Sequence, residues 1–217
     1  WAETRCRAFC KDMMPTEAPE IAVTEDVTAW HALVPRLLHE HGSRTVAEVG
    51  VWRGELSERI LASCPAVRRL LLVDPWTVVY GHDPERDQWL VFGPGTTQLD
   101  MDAAYQAVAT RFQYFVDRVT ILKMPSIEAA KVVPDRSLDA VLIDALHTYH
   151  ACKEDLLSWL PKLKVGGLMI GDDLSEWFPG VQAAVEEVFG TDYRALGQTW
   201  WRIITEEDHV RLSGSAD

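Results

Sequence analysis

The sequence predicts a doubly wound α/β sheet, seven-stranded and mostly parallel, with helices on both faces. Short apolar runs of strand length alternate with amphipathic segments of helix length from one end of the chain to the other. No internal repeat interrupts them, and the last two strand-like runs are separated by Gly197-Gln198, the kind of pair that closes a two-residue hairpin. The length, 217 residues, suits one such domain spanning 1–217, with 1–27 as an N-terminal extension.

Between Thr28 and His39 the residues Trp30, Leu33, Val34, Leu37 and Leu38 recur at helical spacing, so an amphipathic helix precedes the sheet, with Pro35 a candidate kink. TVAEV (45–49) and RLLLV (69–73) read as strands around a helix from Glu55 to about Ala62, a βαβ unit. Residues 75–100 mix Pro, Gly, Trp, His and Asp without periodicity. A loop that long in a compact domain is usually functional, so it reads as a lid over a substrate. Helix resumes near Met101 and runs to Phe115, followed by strand VTIL (119–122), a short helix from Ser126, strand LDAVLI (138–143) and a helix from about Tyr149 to Leu160. KVGGLMIG (164–171) supplies a further buried strand, and VQAAVEEVFG (181–190) a helix stopped by Gly190. TDYRAL (191–196) and TWWRII (199–204) form the closing hairpin, one of whose strands runs against the rest.

Charge and composition exclude several classes. A net charge of −12 repels a phosphate backbone, so no nucleic-acid partner is expected. No apolar run nears the roughly 20 residues that span a bilayer, and the first thirty residues lack a secretory pattern, so no membrane partner and a cytoplasmic location are expected. Cys6, Cys10, Cys64 and Cys152 include no CxxC pair and read as free thiols.

In an open parallel sheet, ligands bind beyond the carboxyl ends of the strands, so the residues after each strand carry the chemistry. After the first come Gly50 and Gly54, which let a backbone turn pass close to a ligand, preceded by the carboxylate of Glu48. The G-x-G-x-x-G of a dinucleotide site is missing its third glycine, and an acid at this point suits a cationic ligand better than a pyrophosphate. The second strand ends in Asp74, from which a carboxylate accepts ribose hydroxyls; glycine turn and acid together imply an adenosine-type cofactor. Asp144 ends the fourth strand and Asp172-Asp173 the fifth. Three carboxylates at neighbouring tips call for a hard cation such as Mg²⁺, which keeps open positions for substrate oxygens. The alternative is that Asp144 only borders a cofactor and Asp172 only caps a loop. His147, three residues after Asp144, is a candidate proton acceptor; Tyr149, His150, Lys153 and His82 are weaker ones. Of nine tryptophans, Trp76, Trp89, Trp177, Trp200 and Trp201 fall at loops or element ends, where they could wall an acceptor site. Because Trp200 and Trp201 alternate along a strand, one of them belongs to the core.

The stretches AEVGVWRG (47–54), LLLVDPW (70–76), SLDAVLIDALHTYHACKEDLLSWLPKLKVGGLMIGDDL (137–174) and the terminal hairpin resemble the class I S-adenosylmethionine-dependent methyltransferases, in particular small-molecule O-methyltransferases of the macrocin and catechol type, over about residues 28–204. The resemblance implies a Rossmann-like domain binding S-adenosylmethionine. In it Glu48 and Gly50 lie by the methionine part, Asp74 holds the ribose, Trp76 flanks the adenine and Ser126 sits near the adenine edge, unless Ser126 is only a helix cap. It also implies Mg²⁺ on Asp144, Asp172 and Asp173, drawing the acceptor's hydroxyls into place, and His147 as base; where catechol-type enzymes carry an Asn ligand this chain has Asp173. The expected partner is a small-molecule acceptor such as a sugar, phenol, catechol or natural product, and a homo-oligomer is compatible with the sequence. Two other readings stay open: a cofactor-binding homologue without methyl transfer that acts with a partner enzyme, and a nicotinamide-dependent oxidoreductase, which the missing glycine and Glu48 disfavour.

Overall fold

Helix α1 (Trp30–His41) leads into strand β1 (Thr45–Val49), and helix α2 (Glu55–Ser63) carries the chain back to β2 (Arg69–Val73). This computed structural model describes residues 30–78, 81–83, 88–90 and 96–214, with the backbone alone at 81–83, 88–90 and 212–214. A small antiparallel pair, β3 (Gly81–Asp83) and β4 (Gln88–Leu90), follows β2. Then come α3 (Gln98–Phe112), β5 (Val119–Leu122), α4 (Ser126–Val132), β6 (Leu138–Ile143) and α5 (Tyr149–Trp159). After a 3₁₀ turn the chain continues as β7 (Leu163–Gly171), α6 (Pro179–Phe189), β8 (Arg194–Leu196), β9 (Thr199–Ile203) and α7 (Glu206–Gly214).

The main sheet has seven strands in the order β5-β2-β1-β6-β7-β9-β8. Every pairing from β5 to β7 is parallel, and β9 alone runs against them. The predicted doubly wound sheet with one reversed strand is therefore the observed one. Parallel strands are buried on both faces, and the alternation of side chains sorts their residues into two cores. Val46, Leu70, Leu72, Leu142 and Ile170 meet α1, α2 and α3 through Leu33, Ile60 and Val108. Ala47, Val49, Val73, Val141, Ile143 and Met169 meet α4, α5 and α6 through Ala129, Leu156 and Val185. No helix among the described residues is long and apolar enough to cross a membrane.

Three expectations need adjustment. The segment from 75 to 100 is not without secondary structure, since it contains β3 and β4; the side chains of His82 and Trp89 lie outside the described residues, as do the N-terminal extension and Cys6 and Cys10. Helix α3 starts three residues earlier than its apolar pattern, because Thr97 and Asp100 form a reciprocal capping box. Helix α7 was not expected at all. It opens at Thr205, whose hydroxyl accepts from Asp208 N at 3.3 Å while the Asp208 carboxylate accepts from Thr205 N at 2.8 Å. Helix α1 runs through Pro35, which is buried within it. Trp200 is the core member of its pair, 1% exposed, and Trp177 stands 82% exposed on the loop before α6.

Candidate functional site

Beyond the carboxyl ends of β5, β2, β1, β6 and β7 lies one continuous cavity of about 760 Å3. Each strand tip contributes to its wall: Pro125, Ser126 and Ile127 after β5, Asp74 and Pro75 after β2, Glu48 to Trp52 around the tip of β1, Asp144 to His147 after β6, and Asp172 and Asp173 after β7. Eight carboxylate residues line it, namely Glu48, Glu55, Asp74, Asp144, Glu154, Asp155, Asp172 and Asp173, and among the described residues no Lys or Arg does. His31 and His147 are the basic side chains in the lining.

The turn after β1 is built by backbone proximity. Gly50 has φ +89°, and a Cβ placed there would stand 1.8 Å from the carbonyl oxygen of Asp144. Only a glycine lets the tips of β1 and β6 close, with Asp144 N donating to Val49 O at 2.8 Å and Gly50 N to Val73 O at 2.9 Å. Gly54 does something different from what was expected. It is the left-handed residue before α2 (φ +77°), packed toward Phe112 and Val108, and it is not part of the cavity wall. Its role is the turn itself.

Asp74 holds this loop. One carboxylate oxygen accepts from Val51 N and Trp52 N, both at 3.0 Å, and the other from Trp76 N at 2.7 Å. Burial raises its pKa while these three amides restrain the rise. A carboxylate has about four lone-pair sites, so room remains for a ligand hydroxyl, but much of Asp74 is spent on the scaffold. Trp76 departs from the expectation that it flanks an adenine. It is fully buried, its Nε1 donates to Trp52 O at 2.8 Å, and its ring packs on Tyr105 at 5.1 Å in the core under the loop rather than on the cavity wall. The physical reason is its left-handed backbone (φ 46°), which turns the indole under the β1 loop.

Glu48 is 2% exposed and its Oε2 accepts from Ser57 Oγ at 2.6 Å. Burial pushes its pKa up to about 8 against the restraint of Ser57, and the neighbouring Asp144, Asp74 and Glu55 add to the rise. A buried acid that resists ionising among like charges is a group prepared to receive a cation.

Elsewhere on the cavity wall, His147 Nε2 stands 3.0 Å from Asp173 Oδ2 and 3.4 Å from Asp144 Oδ1. Its ring packs on Phe178 at 4.6 Å between centroids. Burial pulls the imidazole pKa down, but hydrogen bonds and charge from the two carboxylates outweigh it and carry it to about 9. The ligand atoms of Asp144, His147 and Asp173 lie within 4.8 Å of one another, a spacing a metal ion could bridge. The expected metal set, Asp144, Asp172 and Asp173, is thus only partly assembled: His147 stands where Asp172 was expected, and Asp172 lines the cavity beside them with its Oδ1 accepting from Thr199 Oγ1 at 3.3 Å. Burial and the charges of Asp144 and Asp173 push Asp172 up to about 6. Asp173 has φ 60°, a conformation Asp tolerates better than most residues and one that turns its carboxylate toward His147. Tyr149 and Lys153 are tied to Glu187 of α6 and serve the α5–α6 contact.

Ser126 is not a helix cap; that position belongs to Pro125, with no side-chain cap. Its hydroxyl donates to Asp155 Oδ1 and accepts from Trp159 Nε1 at 2.8 Å. Asp155, 4% exposed, is pushed up to about 6 chiefly by burial, against the restraint of that hydrogen bond. The sequence reading did not place Trp30, His31 or Asp155 on the cavity wall, nor Trp159 behind Ser126. For Asp155 a signal existed: Cys152, Asp155, Leu156 and Trp159 form one buried helical stripe, and an acid within such a stripe needs a partner.

Residues 47–174 match the family model described as a methyltransferase domain. No curated protein sequence matches the chain. Among solved structures it is similar to the calicheamicin methyltransferase CalS11, with TM-score 0.58 and 18% identity over 93% of this chain and 90% of that one. It is similar to the O-methyltransferase NovP, with TM-score 0.57 and 17% identity over 81% of each chain. Spermidine synthase from Thermotoga maritima shares the fold at TM-score 0.51 and 18% identity, over 84% of this chain and 62% of that one.

Proposed function

The chain belongs to the methyltransferase-domain family, and from that premise and the charge of the cavity we propose that it transfers a methyl group from S-adenosylmethionine to an oxygen of a small acceptor, with a divalent cation such as Mg²⁺ at the acceptor end. The observation that carries the reading is the wall itself: eight carboxylates and no Lys or Arg among its described residues. S-adenosylmethionine brings a sulfonium and an ammonium, which such a wall attracts, whereas the pyrophosphate of a nicotinamide dinucleotide would meet repulsion along its length. The volume, about 760 Å3, has room for the cofactor and a small acceptor together.

The residues fit both groups. Glu48, which burial holds neutral up to about pH 8, would ionise to pair with the ligand's positive charge, and Asp74 offers its remaining lone pairs to ribose hydroxyls. Asp144 and Asp173, with Asp172 beside them, would hold the cation. When bound, the cofactor supplies an electrophilic methyl on sulfur, and the cation supplies Lewis-acid stabilisation of an acceptor oxygen. The chain contributes alignment, the main source of acceleration in an in-line displacement. The tips of β1 and β6, joined at Gly50, set the spacing between Glu48 and Asp144 on the cavity wall. His147 is a donor to two carboxylates in this structure, with its pKa at about 9. It serves as a base toward the acceptor only when those carboxylates are engaged elsewhere, and that supports coupling its role to occupancy of the cation site.

The O-methyl assignment is supported by the likeness to NovP and by the oxygen-seeking acidic cluster. The test is a thermal shift series. S-adenosylhomocysteine should raise the melting temperature and NAD should not; no response to S-adenosylhomocysteine would remove the proposal. Methyl transfer to a panel of phenols, catechols and sugars should then fall with EDTA, and rates unchanged by chelator would remove the cation from it.

A further inference from the structure

Methyl transfer changes the charge of its own cofactor. The S–methyl bond breaks with its electron pair left on sulfur, the methyl passes to an acceptor oxygen that sheds its proton, and a sulfonium becomes a neutral thioether. A wall of balanced charge would register that change weakly. This wall is far from balanced, with eight carboxylate residues and no Lys or Arg among its described residues. Of its two histidines, His147 already turns Nε2 to Asp144 and Asp173. Coulomb energy falls only as the inverse of distance. A positive charge placed anywhere in the cavity therefore lies in the field of several of these acids, whichever way its ligand is laid.

The acids are not equal in this. Asp74 is bound by three backbone amides, Asp155 by the Ser126 hydroxyl, and Asp144 and Asp173 share His147. Half-buried Asp172 accepts from Thr199. Glu55 and Glu154 are exposed, where solvent and salt screen them. Glu48 is the buried one whose Oε2 accepts from an uncharged hydroxyl, that of Ser57, and the charged groups that act on it, Asp144, Asp74 and Glu55, are all acids. A cationic ligand supplies the counter-charge that the described residues withhold.

Resting on the reading of the cavity as an S-adenosylmethionine site, we infer that the wall holds the sulfonium cofactor more tightly than its thioether product, with Glu48 contributing most to the difference. Glu48 is then a specificity-determining residue that reads charge rather than shape, and the reaction itself loosens the spent cofactor for exchange. A contact to a charged group, gained or lost, separates two ligands by roughly tenfold to a hundredfold. Burying the one extra methyl would supply only about fourfold.

The experiment is calorimetric titration of the whole chain, in chelator so that no divalent cation shares the wall. The ligands are S-adenosylmethionine, S-adenosylhomocysteine and sinefungin, an analogue that carries an amine in place of the methylated sulfur. S-adenosylhomocysteine should bind, and S-adenosylmethionine should bind about tenfold or more tightly than it. Sinefungin should side with the sulfonium ligand, and the preference should shrink as salt is raised. Glu48→Gln keeps the shape and the bond from Ser57, and should reduce the preference to the about fourfold of the methyl or less. A purely structural role for Glu48 would weaken all three ligands alike and leave their ratios alone. A thioether bound as tightly as the sulfonium by the wild type, sinefungin no better than the thioether, or ratios unmoved in Glu48→Gln overturns the inference. Failure of S-adenosylhomocysteine to bind the wild type at all would instead overturn the proposed function.

Discussion

Replacing Glu48 with Gln should make the protein more stable and its cofactor site much weaker, and the size of both effects follows from one buried carboxylate. In the folded chain Glu48 titrates at about 8, against 4.5 for the ordinary group. A folded pKa above the unfolded one means that stability is complete below about 4.5 and is lost as pH rises through about 8. At pH 7 the unfolded chain gains the ionisation that the folded chain refuses, about two and a half pH intervals at about 1.4 kcal/mol each, or about 3 kcal/mol. Gln carries no such cost and its amide oxygen can still accept from Ser57. Glu48→Gln should therefore raise the unfolding free energy by about 3 kcal/mol at pH 7, by more at pH 8, and by almost nothing at pH 4. Urea unfolding at the three pH values measures this. Calorimetry should show S-adenosylhomocysteine binding weakened roughly tenfold to a hundredfold by loss of the charged partner. A better-folded protein that binds worse cannot be explained by misfolding. Equal stability of the two proteins at pH 7 and 8, or undiminished binding, would refute the account of Glu48 as an acid held for a cation.

Gly50→Ala should unfold the β1–β6 junction rather than tune it, because a Cβ would stand 1.8 Å from Asp144 O in a backbone at φ +89°. The expected cost is about 3 kcal/mol or more in urea unfolding, accompanied by loss of ligand binding. Far from the site, Arg202 and Asp208 are side chains 6% and 2% exposed that meet at 2.9 Å. Arg202→Met strands the acid and should cost about 3–5 kcal/mol in the same assay, and adding Asp208→Leu should recover part of it, the pattern of a buried ion pair.

The strands were legible because a parallel sheet buried on both faces needs largely apolar runs, and TVAEV, RLLLV, VTIL and LDAVLI coincide with β1, β2, β5 and β6 residue for residue. Helix ends were less legible, since they are decided by local side-chain bonds rather than by the apolar stripe. Thr97 with Asp100 moved the start of α3, and Thr205 with Asp208 created α7. The second case was readable as a Thr-x-x-acid cap. It was missed because Glu206, Glu207 and Asp208 look like a solvated run, and what anchors them is Arg202, whose burial no local pattern announces.

Site residues divide along a different line. That Glu48, Asp74, Asp144, Asp172 and Asp173 come together around one cavity was readable because the tip of a parallel strand is a place, fixed by topology, where a charged side chain has no packing reason to be. Gly54 and Trp76 were misplaced because tip position alone does not say which way a residue faces. The left-handed turns at Trp52, Gly54 and Trp76 send the backbone amides toward Asp74 and bury the Trp76 ring under the loop. The glycine turn and the acid after β2, which in sequence look like two contacts to one ligand, are thus first of all contacts to each other. Asp74 binds the loop through three amides and keeps only a remainder for a ribose. It follows that Asp74 and the loop order together, so that a ligand drawing on Asp74 meets a site already shaped before it arrives, which lowers the ordering cost of binding.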